Sequence, residues 1–175
     1  MELGDAHGLR LWFWEIRYYQ TSQKDTTPVG AASASNRLLG LSGITVVDVS
    51  FVGTNAVEVD VALRRRRLVC PRCPFSTQAL YDTRPWTRWR HLDVGRWQVL
   101  VRARVRRLEC PQHAVRVKAI PFARARSGFT RDFEDLVAYV ATKTDKTTIT
   151  GLSRLDWDTV GRVCERAIAE AWTGS

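Results

Sequence analysis

The 175-residue chain carries 27 Lys and Arg against 18 Asp and Glu, a net charge of +9. Its apolar fraction of 45% excludes general disorder, and its length allows one medium domain or two small ones with a sizeable core. A globular chain this basic meets a polyanion, nucleic acid first and an anionic membrane second.

Residues 1–37 read as a poorly ordered leader and linker. Within it, the aromatic patch 9–19 is too short for a membrane span and holds Arg10, Glu15 and Arg17; it also lacks a secretory cleavage pattern. It is either a short docking helix or an accident of an upstream start codon. Residues 20–36 are rich in Ser, Thr, Ala and Gly, with one Pro, as linkers are.

From Leu38 the pattern turns β-like. Residues 44–51 are compact and β-branched, Gly53, Thr54 and Asn55 supply a turn, and residues 56–63 alternate. Val57, Val59, Val61 and Leu63 share one face, with Glu58 and Asp60 on the other, so the pair predicts a hairpin. A short strand is expected at 88–94, a turn at Gly95, and a long strand at 97–108. In that strand Trp97, Val99, Val101, Ala103 and Val105 face one way and Arg102, Arg104 and Arg106 the other.

Near residue 127 the period changes from 2 to 3.6. Thr130 is a candidate N-cap, and Phe133, Leu136, Val137 and Val140 form a buried stripe. Glu134, Asp135 and Asp158 read as cap and solvated charges on helix surfaces. A short helix over 147–154, with Ile149 and Leu152 inward, is followed by a turn. Asp156 then caps a third helix over 157–171, with Val160, Val163, Cys164, Ala167 and Ile168 inward. Three helices with a tight turn before the last match a helix-turn-helix, in which the start of the last helix enters the DNA major groove. A plain helical subdomain is the simpler alternative. The expected class is α+β, a zinc-ribbon-like β domain over 38–126 followed by a helix-turn-helix over 127–175.

Charge is concentrated. Residues 64–131 hold 18 Lys and Arg against 3 Asp and Glu, a net +15, whereas 1–63 and 132–175 are each net −3. Of the 27 basic residues 23 are Arg, which suits bidentate bonds to phosphate and guanine, although a GC-rich coding sequence favours Arg as well. The candidate phosphate contacts are the run Arg64, Arg65, Arg66 and Arg67 and the row Arg102, Arg104 and Arg106. On the helices, Lys146, Thr159, Arg162 and Arg166 are the candidate DNA contacts, with Trp157 and Asp158 on the same surface.

The basic segment also carries Cys70-Pro-Arg-Cys73 and Cys110-Pro-Gln-His113, separated by 36 residues. Each knuckle puts two ligands on one tight loop, where backbone N–H groups can also bond the sulfurs. Two knuckles close a tetrahedron, so Cys70, Cys73, Cys110 and His113 are expected to bind one Zn²⁺ ion with no open position, a structural site. Such a site supplies roughly 10–16 kcal/mol of apparent binding free energy. Buried Cys pairs with a surface His are the weaker alternative. His91 lacks the knuckle spacing, and Cys164 sits on an apolar helix face as a packed thiol does.

Over roughly residues 38–170 the chain resembles the N-terminal region of DDE-type transposases of the ISL-three family. The resemblance rests on LLGLSGITVVDV, RRRRLVCPRC, RWRHLDVGRWQVLVRARVRRLECP, FARARSGFTRDFEDLVAYVA and LSRLDWDTVGRVCERAI together. It implies a zinc-binding domain and a helix-turn-helix that recognise the element's terminal inverted repeats. The partner is then duplex DNA at transposon ends, with intact transposase or a second copy as a further partner, no membrane and no small-molecule substrate. His113 stands where the family usually has Cys. No catalytic carboxylate of the family can be carried over, so the expectation is a truncated or split DNA-binding fragment, cytoplasmic and nucleoid-associated. A zinc-containing transcriptional regulator, or a subunit working with a separately encoded catalytic chain, are the alternatives.

Overall fold

The computed structural model describes residues 31–173, as four helices and seven strands. The aromatic patch 9–19 and residues 20–30 of the expected linker lie outside the described residues. Helix α1 (Ala31–Leu39) corrects the linker reading of residues 31–36. Composition suggested a spacer, but Asn36 ties the segment to the sheet. Its Oδ1 accepts from the Val46 N–H at 3.0 Å and its Nδ2 donates to the Ala32 carbonyl at 2.9 Å. Leu39 is buried in the core, and Gly40, at φ +61°, ends the helix in the left-handed conformation that costs Gly least.

The predicted hairpin is present as β1 (Ile44–Val52) and β2 (Ala56–Leu63), antiparallel from Ile44 opposite Leu63 to Val52 opposite Ala56. A register shift between Val46 and Asp48 leaves Val47 exposed on the edge strand. Strands β3 (Leu68–Val69) and β4 (Ser76–Thr77) form a separate small hairpin. Strand β5 (Asp82–Arg90) begins and ends earlier than the expected 88–94. Polar residues and Pro85 hid its first half; a register shift between Thr83 and Trp86 accommodates the proline, which has no N–H to donate.

Strand β6 (Gln98–Cys110) is the centre, and β7 (Ala114–Val117) folds back on it. The sheet order is β1-β2-β6-β5, with β2 and β6 parallel and β5 and β6 antiparallel. Val99, Val101, Ala103 and Val105 are buried as the alternation predicts, in a core with Ile44, Val46, Val59, Val61 and Trp89. Phe122 closes this core, its ring edge-on to Trp89 at 5.3 Å.

Helices α2 (Arg131–Ala141), α3 (Lys146–Ser153) and α4 (Trp157–Thr173) follow. Thr130 caps α2 as expected, accepting from the Phe133 N–H. Asp145 caps α3 and Asp156 caps α4. The helical core is Phe133, Val137, Ile149, Val160 and Val163, with Cys164 partly buried against it. Three expected core residues are instead exposed: Leu136 at 42%, Leu152 at 66% and Ile168 at 57%.

A buried charge lies two residues before the exposed Leu136, on the opposite side of the helix, and corrects the surface reading of Glu134. Its side chain is fully buried and accepts from Ser127 Oγ at 2.7 Å, Arg124 Nη1 at 3.1 Å and Arg166 Nε at 2.8 Å. Arg124 also reaches Asp135 and Glu170, so one network ties the segment before α2 to α2 and α4. Glu134→Ala leaves two guanidinium groups without their buried counter-charge. It is expected to destabilise the chain by about 3–5 kcal/mol, read from the denaturant midpoint.

Candidate metal centre and nucleic-acid interface

The first knuckle is the loop of the β3–β4 hairpin, and the second joins β6 to β7. Cys70, Cys73, Cys110 and His113 come together with all their ligand atoms within 4.8 Å of one another. Cys73 Sγ lies 3.6 Å from Cys110 Sγ, and His113 Nδ1 lies 3.7 Å from Cys70 Sγ and 3.6 Å from Cys110 Sγ. A tetrahedral ion with bonds of about 2.3 Å to sulfur and 2.0–2.1 Å to nitrogen sets S···S near ~3.8 Å and S···N near ~3.6 Å. The cage therefore fits a metal ion. The sulfurs are too far apart for a disulfide, whose bond is about 2.05 Å long.

The Arg72 and Cys73 amides act on the Cys70 sulfur, and the Phe75 amide acts on that of Cys73, as N–H···S interactions. Burial pushes the Cys70 thiol up, but these bonds and those from Cys73 and Cys110 pull it below its ordinary value. The Phe75 bond pulls Cys73 down, yet burial and the crowding of Cys110 and Cys70 leave it raised. Three sulfurs this close cannot all carry charge without a cation between them. Leu68 and Leu108 are buried against the cage, with Phe75 beside them. His91 is elsewhere: its Nδ1 lies 2.8 Å from Thr130 Oγ1, where burial lowers its pKa.

The basic run Arg64, Arg65, Arg66 and Arg67 is exposed on the link from β2 to β3. Arg64 donates to Thr45 Oγ1 at 2.9 Å and Arg67 to Ser76 Oγ at 2.8 Å. The β6 row is less uniform than the alternation suggests. Arg102 is held bidentately by Asp60, at 2.7 and 3.0 Å, and pairs with Glu58 as well. Arg104 is exposed with its guanidinium 5.6 Å from the Trp86 ring centroid, and Arg106 is half-buried. Among the candidate contacts, Arg102 is thus committed to β2.

In the helical part the tight turn is made by Arg154, which adopts φ 54° and ψ 39° at the C-cap of α3. The caps on either side of it repeat one pattern, Asp145-x-x-Thr148 and Asp156-x-x-Thr159. In each, the third-residue N–H donates to one Asp oxygen and the Thr hydroxyl to the other. This reciprocal cap, readable in the sequence at Asp145, was missed there. Trp157, Asp158 and Arg162 are exposed at the start of α4, and Lys146 is exposed beside them, its Nζ 5.0 Å from the Trp157 ring. Thr159 is occupied with Asp156 and with Arg162 Nη2 at 2.9 Å, and Arg166 with Glu134.

Residues 119–168 match the family described as the helix-turn-helix domain of transposase family ISL3. That segment is similar to the helix-turn-helix domain of ISL3 transposases. The ISL3 match begins at residue 119, within the segment whose Phe122 and Ala123 close the sheet core. Two relatives are each named "Transposase for insertion sequence element IS1557", from Mycobacterium tuberculosis strains CDC 1551 / Oshkosh and ATCC 25618 / H37Rv. Each is 36% identical over 140 residues, covering 76% of this chain and 32% of the relative. The chain therefore spans about a third of the length of the curated relatives it matches. No solved structure matches it.

Replacing Cys73 with Ser, or adding a strong chelator, is expected to release the metal and melt residues 64–120. Metal content by mass spectrometry and circular dichroism read both effects; unaltered spectra in metal-free protein would contradict the structural role. The caps give a pH dependence. Asp145 is held below its ordinary value chiefly by the Thr148 side chain, and Asp156 by that of Thr159. A depressed carboxylate contributes stability above its unfolded pKa of about 3.9 and loses it as pH falls through the lower folded value. Helicity is expected to decline below about pH 4, and the paired change Asp145→Asn and Asp156→Asn to shrink that decline while retaining the caps.

Proposed function

We propose that the chain binds duplex DNA at the terminal inverted repeats of an insertion sequence, as part of a transposase, and that its metal is one structural Zn²⁺. The observation that carries this reading is the α3–turn–α4 unit. Arg154 and Asp156 set the angle between two short-linked helices, and Trp157, Asp158 and Arg162 project from the first turns of α4. A helix presented this way reads base edges in the major groove, while surrounding Arg and Lys contact phosphates.

The helical segment 132–175 is net −3, so it supplies little general attraction to DNA by itself. The basic segment supplies that attraction, with Arg64, Arg65, Arg66, Arg67, Arg104 and Arg106 as phosphate contacts and Lys146 beside the recognition helix. Zinc suits the three sulfurs and one imidazole, and with four protein ligands it keeps no position for water or substrate. Its work is to hold the β3–β4 and β6–β7 hairpins together. The name of the two relatives extends the reading to transposition of an insertion element. This role places the protein at the nucleoid in the cytoplasm.

A gel-shift comparing the terminal repeats that flank the coding sequence with random duplex tests the reading. Preference for the repeats is expected, and equal affinity for both rejects end recognition. Arg162→Ala is expected to cost about 1–3 kcal/mol of discrimination between the two.

A further inference from the structure

A cavity of about 620 Å³ opens between the first metal knuckle, β5, β7 and the segment leading into α2. Arg72 reaches it from the knuckle, Arg84 from β5, Arg116 and Lys118 from β7 and its continuation, and Arg126 from the lead-in segment. Among the described residues no Asp or Glu lines it. Arg107, Arg124 and Arg131 line it too, but Asp82, Glu134 and Glu170 answer their charges from outside. Among the described residues no carboxylate pairs with Arg72, Arg116, Lys118 or Arg126.

Two of these groups are buried or half-buried with no carboxylate partner among the described residues. Lys118 is only 4% exposed, and its Nζ donates to the Arg65 carbonyl at 3.2 Å. Burial, and then the nearby Arg106 and Arg65, push its pKa down. Arg116 is half-buried: its Nη1 donates to the Val115 carbonyl at 3.3 Å, and its Nε is buried without a hydrogen-bond partner. Removing a cation from water without a counter-ion is unfavourable, and an anion seated in the cleft offsets that cost. Arg126 adds a strained backbone at the rim: its φ is +61°, a conformation uncommon outside Gly and Asn.

We propose that this cleft seats the phosphodiester backbone of the same duplex whose bases α4 reads. The inference rests on the DNA-binding reading and adds a surface to it, since none of Arg64–Arg67, Arg102, Arg104, Arg106, Lys146 or the α4 residues lines the cavity. The unanswered cations come from three separate parts of the chain, which suits a run of phosphates better than one small anion. Arg forks match phosphate oxygens bidentately.

The test is a salt titration of binding to a random-sequence duplex by fluorescence anisotropy, using the full metal-loaded chain. The paired change Arg116→Gln and Arg126→Asn is expected to lower the slope of log K against log salt by about 1.8, at about 0.9 per lost phosphate contact. Asn tolerates the left-handed backbone at 126. Metal content and circular dichroism establish that the variant is folded. If it is not, Arg126→Asn alone, at an exposed position, is expected to lower the slope by about 0.9. An unchanged slope in folded variants of a parent that binds DNA overturns the cleft and leaves the DNA reading intact. A parent that binds no duplex overturns both.

Discussion

Strand β6 serves two cores, one from each of its faces. Its odd-numbered residues from Val99 to Val105 lie in the main core, whereas Leu108 and Cys110, on the opposite parity, lie in the metal-bearing hairpins. A strand that must satisfy two cores has one permitted register, because a slip of one residue would send Val101 and Ala103 outward and Cys110 away from its partner ligands. The pairing of β2, β5 and β7 follows from that register. So does the position of the arginine row, which occupies the even positions between the two cores.

The same register determines which arginines are neutralised. The parallel pairing of β2 with β6 puts Asp60 opposite Arg102, and their fork-to-carboxylate bonds use up that guanidinium. Further along the strand no acid stands opposite Arg104, and it lies against Trp86 instead. Between the metal site and the start of α2, several arginines and Lys118 have no carboxylate partner among the described residues. The basic surface is therefore graded: neutralised at the β2 end of the sheet, and only partly answered between the metal site and the start of α2. Such a gradient concentrates the attraction for a polyanion where the two halves of the structure meet.

That meeting is built from polar contacts as well as apolar ones. His91 at the end of β5 reaches Thr130, which also caps α2, and Arg90 lies 4.9 Å from the Phe133 ring centroid. Glu134 then gathers Arg124 and Arg166 around itself in the interior. These groups explain why the ISL3 helix-turn-helix match starts before the helices do. The lead-in segment 119–127 packs on the sheet through Phe122 and on the helices through Arg124 and Ser127.

The sequence alone determined what depends on short-range chemistry. Alternation in β2 and β6, the Thr130 and Asp156 caps, the turn at Gly95 and the four ligands at knuckle spacing are all set by neighbours a few residues apart. The tertiary structure decided what depends on distant partners. Composition could not reveal that Asn36 would bond Val46 and make a helix of an apparent linker. Nor could periodicity reveal that Glu134 would be buried and Leu136, Leu152 and Ile168 exposed, because a helical stripe fixes a face but not its exact centre. The pairing of Arg102 with Asp60 spans 42 residues, and the cationic cleft draws on strands, knuckle and lead-in segment together. Local pattern shows which residues carry charge; only the fold decides which of those charges are already answered.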